Sequence, residues 1–498
     1  MDSTSEFMLN AAVYAPFVFA FVLTLFWNVS GGKTAAAMGL VSVAISFAGA
    51  LWACSGFVSA GANAAVFADA AQIWIFPKLC LSAISAPMLF LAATVSLAAT
   101  VYSLTLEIKN AKLYYLLLLI MQGGLFGAFT SANVLWMYMF HEFALVPTFV
   151  AMLLWGSAGK RMAAMQMAIY LTLGALVSLI GIIAVYAATG AASFNLDAIS
   201  AALVSRPISE NAQVYIFAML MFGLGTLVSL FPFYTWAPRT YACAPTAFAM
   251  LHAGVLKKFG LFMLIQFAVP VLPYGCAHWA QIMAVFALFN VIYIGFITLA
   301  QRDIKLMVSY SSVGHMGICF LGIASMSVLG AGGALIMMVG HGLSVALMLM
   351  LSNIIINRTD EWDMTKMGGL YKQTPVLAAF FIAGTLATLG LPFFANFWGE
   401  IAVLTSLWGF SPVICALGAT GLIFSAIYGL RAVARVFMGT PSENLAKNFS
   451  QIADVSKLER LAASLLVAAL IFAGVCPNLI TKPADTLLKS FPAYTQGK

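Results

Sequence analysis

Hydrophobic positions fall into long blocks of about 18 or more residues joined by short polar links, a period far too long for strands and too continuous for amphipathic soluble helices. Blocks begin near residues 8, 34, 80, 111, 133, 163, 212, 245, 277, 305, 331, 374, 401 and 458. Each is long enough to cross a bilayer, which takes about 20 apolar residues, so the pattern predicts an all-α polytopic membrane protein of about fourteen transmembrane helices. The first block follows an acidic leader (Asp2, Glu6) with no basic stretch before it, and reads as a permanent helix rather than a cleaved signal.

Basic residues set the expected orientation. Links after odd-numbered helices hold Lys33, Lys109, Lys112, Lys160, Arg161, Arg239, Arg302, Lys305, Arg358, Lys366, Lys372, Arg431, Arg435, Lys447, Lys457 and Arg460. The opposite side holds only Lys78, Arg206, Lys482, Lys489 and Lys498. The excess of positive charge places the odd links in the cytoplasm and both termini on the periplasmic or outer side of a cell inner (plasma) membrane.

Two helices carry breakers at membrane depth. The seventh has Pro232 and Pro238 within FPFYTWAP, and the twelfth has Gly390 and Pro392 within TLGLPFFANFWGE. Backbone freed by such breaks is tolerated only against protein or a wet cavity. If helices 4–8 and 9–13 are two units, the broken helix is fourth in each, and five crossings per unit make the units run in opposite senses, the pattern of an inverted-repeat transporter. The expected organisation is therefore residues 1–107 for helices 1–3, 108–272 and 273–440 for the two repeats, and 441–498 for a cytoplasmic link, helix 14 and a tail.

Composition narrows the chemistry. The chain has 498 residues, 63% hydrophobic and 8% charged, which excludes a soluble globular enzyme. A net charge of +7 without a basic run gives no nucleic-acid signal. The seven cysteines form no CxxC pair, and there is no GxGxxG or phosphate-binding loop, so no metal, cofactor or redox site is expected in this chain.

Against that background the ionisable residues inside the blocks stand out, since one charge at the bilayer centre costs roughly 2.5–3.5 kcal/mol. Glu142 lies mid-way along the fifth helix, Lys257 and Lys258 near the centre of the eighth, and Glu400 just after the break of the twelfth. His252, His315 and His341 are equally deep, as is His141, whereas His278 falls at a helix end. Removal from water favours the neutral form of acids and bases alike, so such groups bind and release protons near neutrality. Moving a proton against ~180 mV costs about 4 kcal/mol, and a change in proton affinity of about three pKa units supplies as much. Ser309, Ser311, Ser312 and Ser344 would hold connecting water. Neighbouring lysines on a helix point about 100° apart, so Lys258 is assigned the working role and Lys257 a second wall of the cavity.

Several segments resemble one family, the antiporter-like M subunit of bacterial NADH:quinone oxidoreductase (respiratory complex I). FHEFALVP (140–147), APT (244–246) with AGVLKK (253–258), DIKLMVSYSSVGHMG (303–317), HGLS (341–344), DMTKMGGL (363–370) and LGLPFFANFWGE (389–400) carry the likeness. It implies a channel subunit that pumps protons while partner chains pass electrons from NADH or another donor, through NAD, FMN and iron–sulfur sites, to quinone. It further implies L-type and N-type antiporter-like neighbours and a peripheral redox arm, with Glu142 modulating a seventh-helix lysine, Lys258 as central relay and Glu400 as exit-side group. The short stretch after helix 14 leaves no room for the lateral helix of an L-type subunit.

One departure is plain: where the family has its seventh-helix lysine, this chain has Leu227, with no basic residue between Arg206 and Arg239. Glu142 thus loses its expected partner, and Lys257 is a candidate substitute alongside His141. The alternatives are a sodium/proton antiporter or membrane-bound hydrogenase subunit of the same fold, a free-standing solute transporter, and a transport-inactive scaffold. The aromatic surroundings of both breaks (Phe231, Phe233, Tyr234, Phe393, Phe394, Phe397, Trp398) argue against a solute pocket.

Overall fold

The structure, a computed structural model, describes residues 3–61, 66–67, 77–447 and 449–495; Asp2 and Lys498 lie outside them. In chain order the helices are α1 (Ser3–Leu25), α2 (Gly32–Ser59), α3 (Ser85–Ser103), α4 (Ala111–Thr130), α5 (Val134–Trp155), α6 (Lys160–Thr189), α7 (Leu196–Ser205), α8 (Glu210–Val228) and α9 (Trp236–Cys243). They continue as α10 (Thr246–Gly254), α11 (Phe259–Met263), α12 (Val269–Val271), α13 (Pro273–Ala300), α14 (Ile304–Ala324), α15 (Val328–Thr359), α16 (Pro375–Thr388), α17 (Ala395–Phe410) and α18 (Pro412–Phe437). The last four are α19 (Glu443–Ala446), α20 (Lys457–Val475), α21 (Asn478–Lys489) and α22 (Pro492–Thr495).

Among the described residues 13 stretches are long and apolar enough to cross a membrane, counting α10–α12 as one. The remaining crossing is split between α16 and α17, of 14 and 16 residues. Both expected breaks are present. The seventh crossing stops at Val228 and resumes at α9, with Ser229 in the left-handed region at φ 73°. The twelfth stops at Thr388 and resumes at Ala395, turning through Gly390 at φ 67° and Phe393 at φ 82°.

One expectation is corrected and two details are added. Helix 13 begins at Pro412, not near 401, because the second half of the broken twelfth helix occupies 395–410; the two are parted only where the Ser411 side chain caps the Ile414 amide and Pro412 takes the first turn. The eighth crossing is also irregular: α10 ends at Gly254, a 3-10 turn spans Leu256–Lys258, and a π turn spans Leu264–Ala268 ahead of Pro270. The expected tail contains the amphipathic helix α21, whose buried residues Ile480, Ala484 and Leu488 recur every fourth position while Lys482 and Lys489 are exposed.

The centre of the bundle is α15, in which every residue from Gly330 to Ser352 is buried. A helix apolar on all faces needs neighbours on all faces, and α15 packs on α3, α10, α14, α16, α17 and α20. It comes very close to α10. A Cβ on Gly254 would lie 2.9 Å from the Gly342 carbonyl oxygen, and one on Gly342 only 2.5 Å from that of Gly254, so paired glycines let the two backbones touch. That contact sets His341 of the second repeat beside the lysine turn of the first.

Candidate functional site

The lysines sit where the eighth crossing loses its regular bonding. Lys258, fully buried, folds back to donate to the Ala253 carbonyl at 2.5 Å, an acceptor freed by the irregular turn. Lys257, 1% exposed, points the other way: its Nζ lies 3.3 Å from the Ser312 carbonyl, 3.4 Å from Ser312 Oγ, and 5.4 Å from the Tyr241 ring centroid. Ser312 Oγ is in turn 3.0 Å from His341 Nε2. The His341 ring stacks on His315, with centroids 4.9 Å apart and 15° between planes.

His315 carries the series to the second break. Its Nδ1 lies 2.7 Å from the Ser311 carbonyl and its Nε2 3.1 Å from that of Thr388, the last residue before the break. Both acceptors are carbonyl oxygens, so satisfying both requires two ring N–H groups, the imidazolium form. Beyond it, a cavity of about 30 Å³ is lined by Ser311, His315, Glu400 and Tyr428, and a second of about 20 Å³ by Ser311, His341, Thr385, Thr388 and Tyr428. Each has room for one water. His341 Nδ1 and Thr385 Oγ1, both at the second cavity, have no hydrogen-bond partner among the described residues, which gives water there polar groups to bind. Glu400, 4% exposed, sits against Gly390, where any Cβ would strike its carboxylate.

The remaining candidates divide. His252 is buried between Trp236 and Tyr241, at 5.5 and 5.4 Å, off the line just traced. Glu142 is not enclosed: its side chain is 29% exposed, on the outward face of α5 with Met139, Phe143 and Val146. Its partner is His141 Nδ1 at 3.3 Å, whose ring stacks on Phe259 at 4.5 Å next to the lysine turn. Lys257 does not reach it; that ammonium is spent on Ser312. Leu227 is a buried core side chain.

Sequence reasoning overlooked Asn290. This fully buried amide of α13 accepts from the Phe231 N–H at 2.7 Å and donates to the carbonyls of Ser229 (2.9 Å) and Val313 (3.1 Å). It supplies the partners that the first break takes from its own helix, and ties that break to α14.

Residues 131–425, more than half the chain, match the family described as NADH:quinone oxidoreductase/Mrp antiporter, TM. The chain belongs to that family. Among curated relatives, NAD(P)H-quinone oxidoreductase chain 4 1 of Synechococcus sp. (strain JA-3-3Ab) is 31% identical over 421 residues, 83% of this chain and 79% of the relative. NADH-quinone oxidoreductase subunit M of Rickettsia typhi is 30% identical over 372 residues, 75% and 74% of the two chains. Among solved structures, a chain of respiratory complex I from Thermus thermophilus with bound NADH superposes with a TM-score of 0.85 at 25% identity, covering 97% of this chain and 98% of that one. The Mrp complex from Dietzia sp. DQ12-45-1b shares the fold at TM-score 0.82 and 16% identity, over 100% and 99% of the chains. Family membership accounts for two inverted five-helix units around broken helices, and for a multi-pass subunit that works within a larger membrane assembly.

Proposed function

We propose that the chain is the proton-translocating M-type subunit of a quinone-reducing respiratory complex. Protons move along Lys257 and Lys258, Ser312, His341, His315 and the small cavities to Glu400, while partner subunits hold NAD, FMN, iron–sulfur clusters and quinone and carry the electrons. The observation that supports this most is the series of neighbouring buried exchangeable groups from the lysine turn of one repeat to the broken helix of the other. Residues 108–272 and 273–440 act as the two half-channels that meet at Ser312.

The outward Glu142 supports a subunit contact on α5. A carboxylate on an apolar face is costly against lipid, and an N-type or L-type neighbour would cover it. The basic links support odd loops in the cytoplasm and both termini outside the inner membrane. The chain is 31% identical over 421 residues to a quinone oxidoreductase relative, which supports the quinone-linked reading over the antiporter.

The test is proton pumping by the intact complex in sealed vesicles, per electron delivered to quinone. Lys258→Met and Glu400→Gln should each lower it by at least about tenfold. Full pumping in both variants contradicts the assignment, and a gradient that forms only with sodium present returns the antiporter reading.

A further inference from the structure

Lys305 is a buried lysine outside the series traced above. It is the second residue of α14 and 3% exposed, three residues after the exposed Arg302. Its Nζ donates to Asn353 Oδ1 at 2.9 Å, Asn353 Nδ2 donates to the Tyr102 hydroxyl at 3.0 Å, and the Trp362 ring centroid lies 5.7 Å away. The nearby titratable groups are Asp303 on the same helix end, Cys243 at the end of α9 and Tyr102 from α3. Asp303 uses Oδ1 to cap the Leu306 amide, and burial raises its carboxyl above the ordinary value. Among the described residues no carboxylate lies within ion-pair distance of Lys305. A lysine that served only the membrane surface would keep its head in water; this one is enclosed by neutral partners, and only one turn from the surface.

Below it on the same face of α14 come Ser309 and Ser312, four and seven residues on, both buried. Ser309 Oγ bonds the Lys305 carbonyl at 2.7 Å. Ser312 is the residue that both Lys257 and His341 touch. At a rise of about 1.5 Å per residue this face spans roughly 10 Å, from the helix end to the junction of the two repeats. Helical side chains lean towards the N-terminus, so Ser309 overlies the turn of Lys305, and the four-carbon stem of the lysine can swing between Asn353 and Ser309.

We propose that Lys305 is the proton-receiving residue on the cytoplasmic side of the channel. Its neutral amine takes a proton from bulk water, and the resulting ammonium returns it to water held by Ser309 and Ser312, from which it passes to Lys257 or His341. No electron moves, and the amine is regenerated in each cycle. The inference rests on the proton-translocating reading and the orientation given above.

The experiment compares Lys305→Arg, Lys305→Met and Ser309→Ala with Lys258→Met in the intact complex in sealed vesicles, each normalised to assembled complex. Arginine keeps the charge and the bond to Asn353 but does not release its proton. A proton-receiving role therefore predicts that Lys305→Arg loses pumping as fully as Lys305→Met, by at least about tenfold, with Ser309→Ala lowered about threefold. Wild-type pumping in Lys305→Arg overturns the proposal, because a fixed cation would then suffice. So does unchanged pumping in Ser309→Ala, which also decides the matter if the Lys305 variants fail to assemble. Undiminished pumping in Lys258→Met is a different failure, that of the underlying channel reading.

Discussion

The two broken helices solve the same problem with different chemistry. At the first, Ser229, Phe231 and the neighbouring α14 are held by Asn290, an amide that cannot titrate, and Trp236 Nε1 adds a bond to the Thr226 carbonyl at 3.1 Å. At the second, the exposed end of α16 is met by His315, and Glu400 fills the space beside Gly390. Both of these side chains are titratable. On the proposed function, the first break is a fixed joint and the second a joint whose bonding would change with protonation, which would put the moving part of the mechanism in the second repeat. Leu227, which stands where the family resemblance leads one to expect a lysine, sharpens the contrast, since it puts a buried apolar side chain beside the first break while the second keeps its titratable groups.

Changes at the second break should cost function most. Gly390→Ala forces a side chain into the left-handed region and against Glu400, a strain of about 1–3 kcal/mol before the clash is counted. Pumping should fall below detection while electron transfer persists in whatever complex assembles; normal pumping would mean that this turn is not tied to Glu400. Asn290→Leu leaves the Phe231 N–H and the Ser229 carbonyl without a partner, at about 1–3 kcal/mol each, and removes the extra bond to the Val313 carbonyl of α14. It should lower the thermal stability and yield of the complex, with protons per electron close to wild type in the surviving fraction. A selective loss of pumping at normal stability would make the first break as functional as the second. His315→Gln should show the smallest stability change, within about 1 kcal/mol, but a pumping loss of about tenfold or more. If pumping in that variant is unchanged, the titratable joint is disproved.

The crossings, their inverted grouping and both breaks were legible in the sequence, because block length, prolines and basic links each have a direct physical cause. So were Lys257, Lys258, His315, His341 and Glu400, each an ionisable group where hydrocarbon would exclude one. What escaped was direction. Glu142 and Lys257 are equally deep in the sequence pattern, yet one faces outward and the other Ser312, and apolar runs on every face leave no stripe from which to read that. The thirteenth crossing was misplaced because residues 395–437 read as a single apolar run with only Ser411 and Pro412 as punctuation. Asn290 had a visible signal, a lone amide inside an apolar 28-residue helix, and was passed over because attention went to groups that carry charge.

Ser312 is where the lysine turn of the first repeat meets the histidines of the second, since its hydroxyl is shared by Lys257 and His341. The most direct test of the account is the number of protons pumped per electron by the Ser312→Ala complex in sealed vesicles. The side chain is small and its backbone carbonyl is untouched, so assembly and quinone reduction should remain near wild type. The account predicts that pumping by this subunit drops by about tenfold. An unchanged ratio of protons to electrons in a fully assembled Ser312→Ala complex would contradict it.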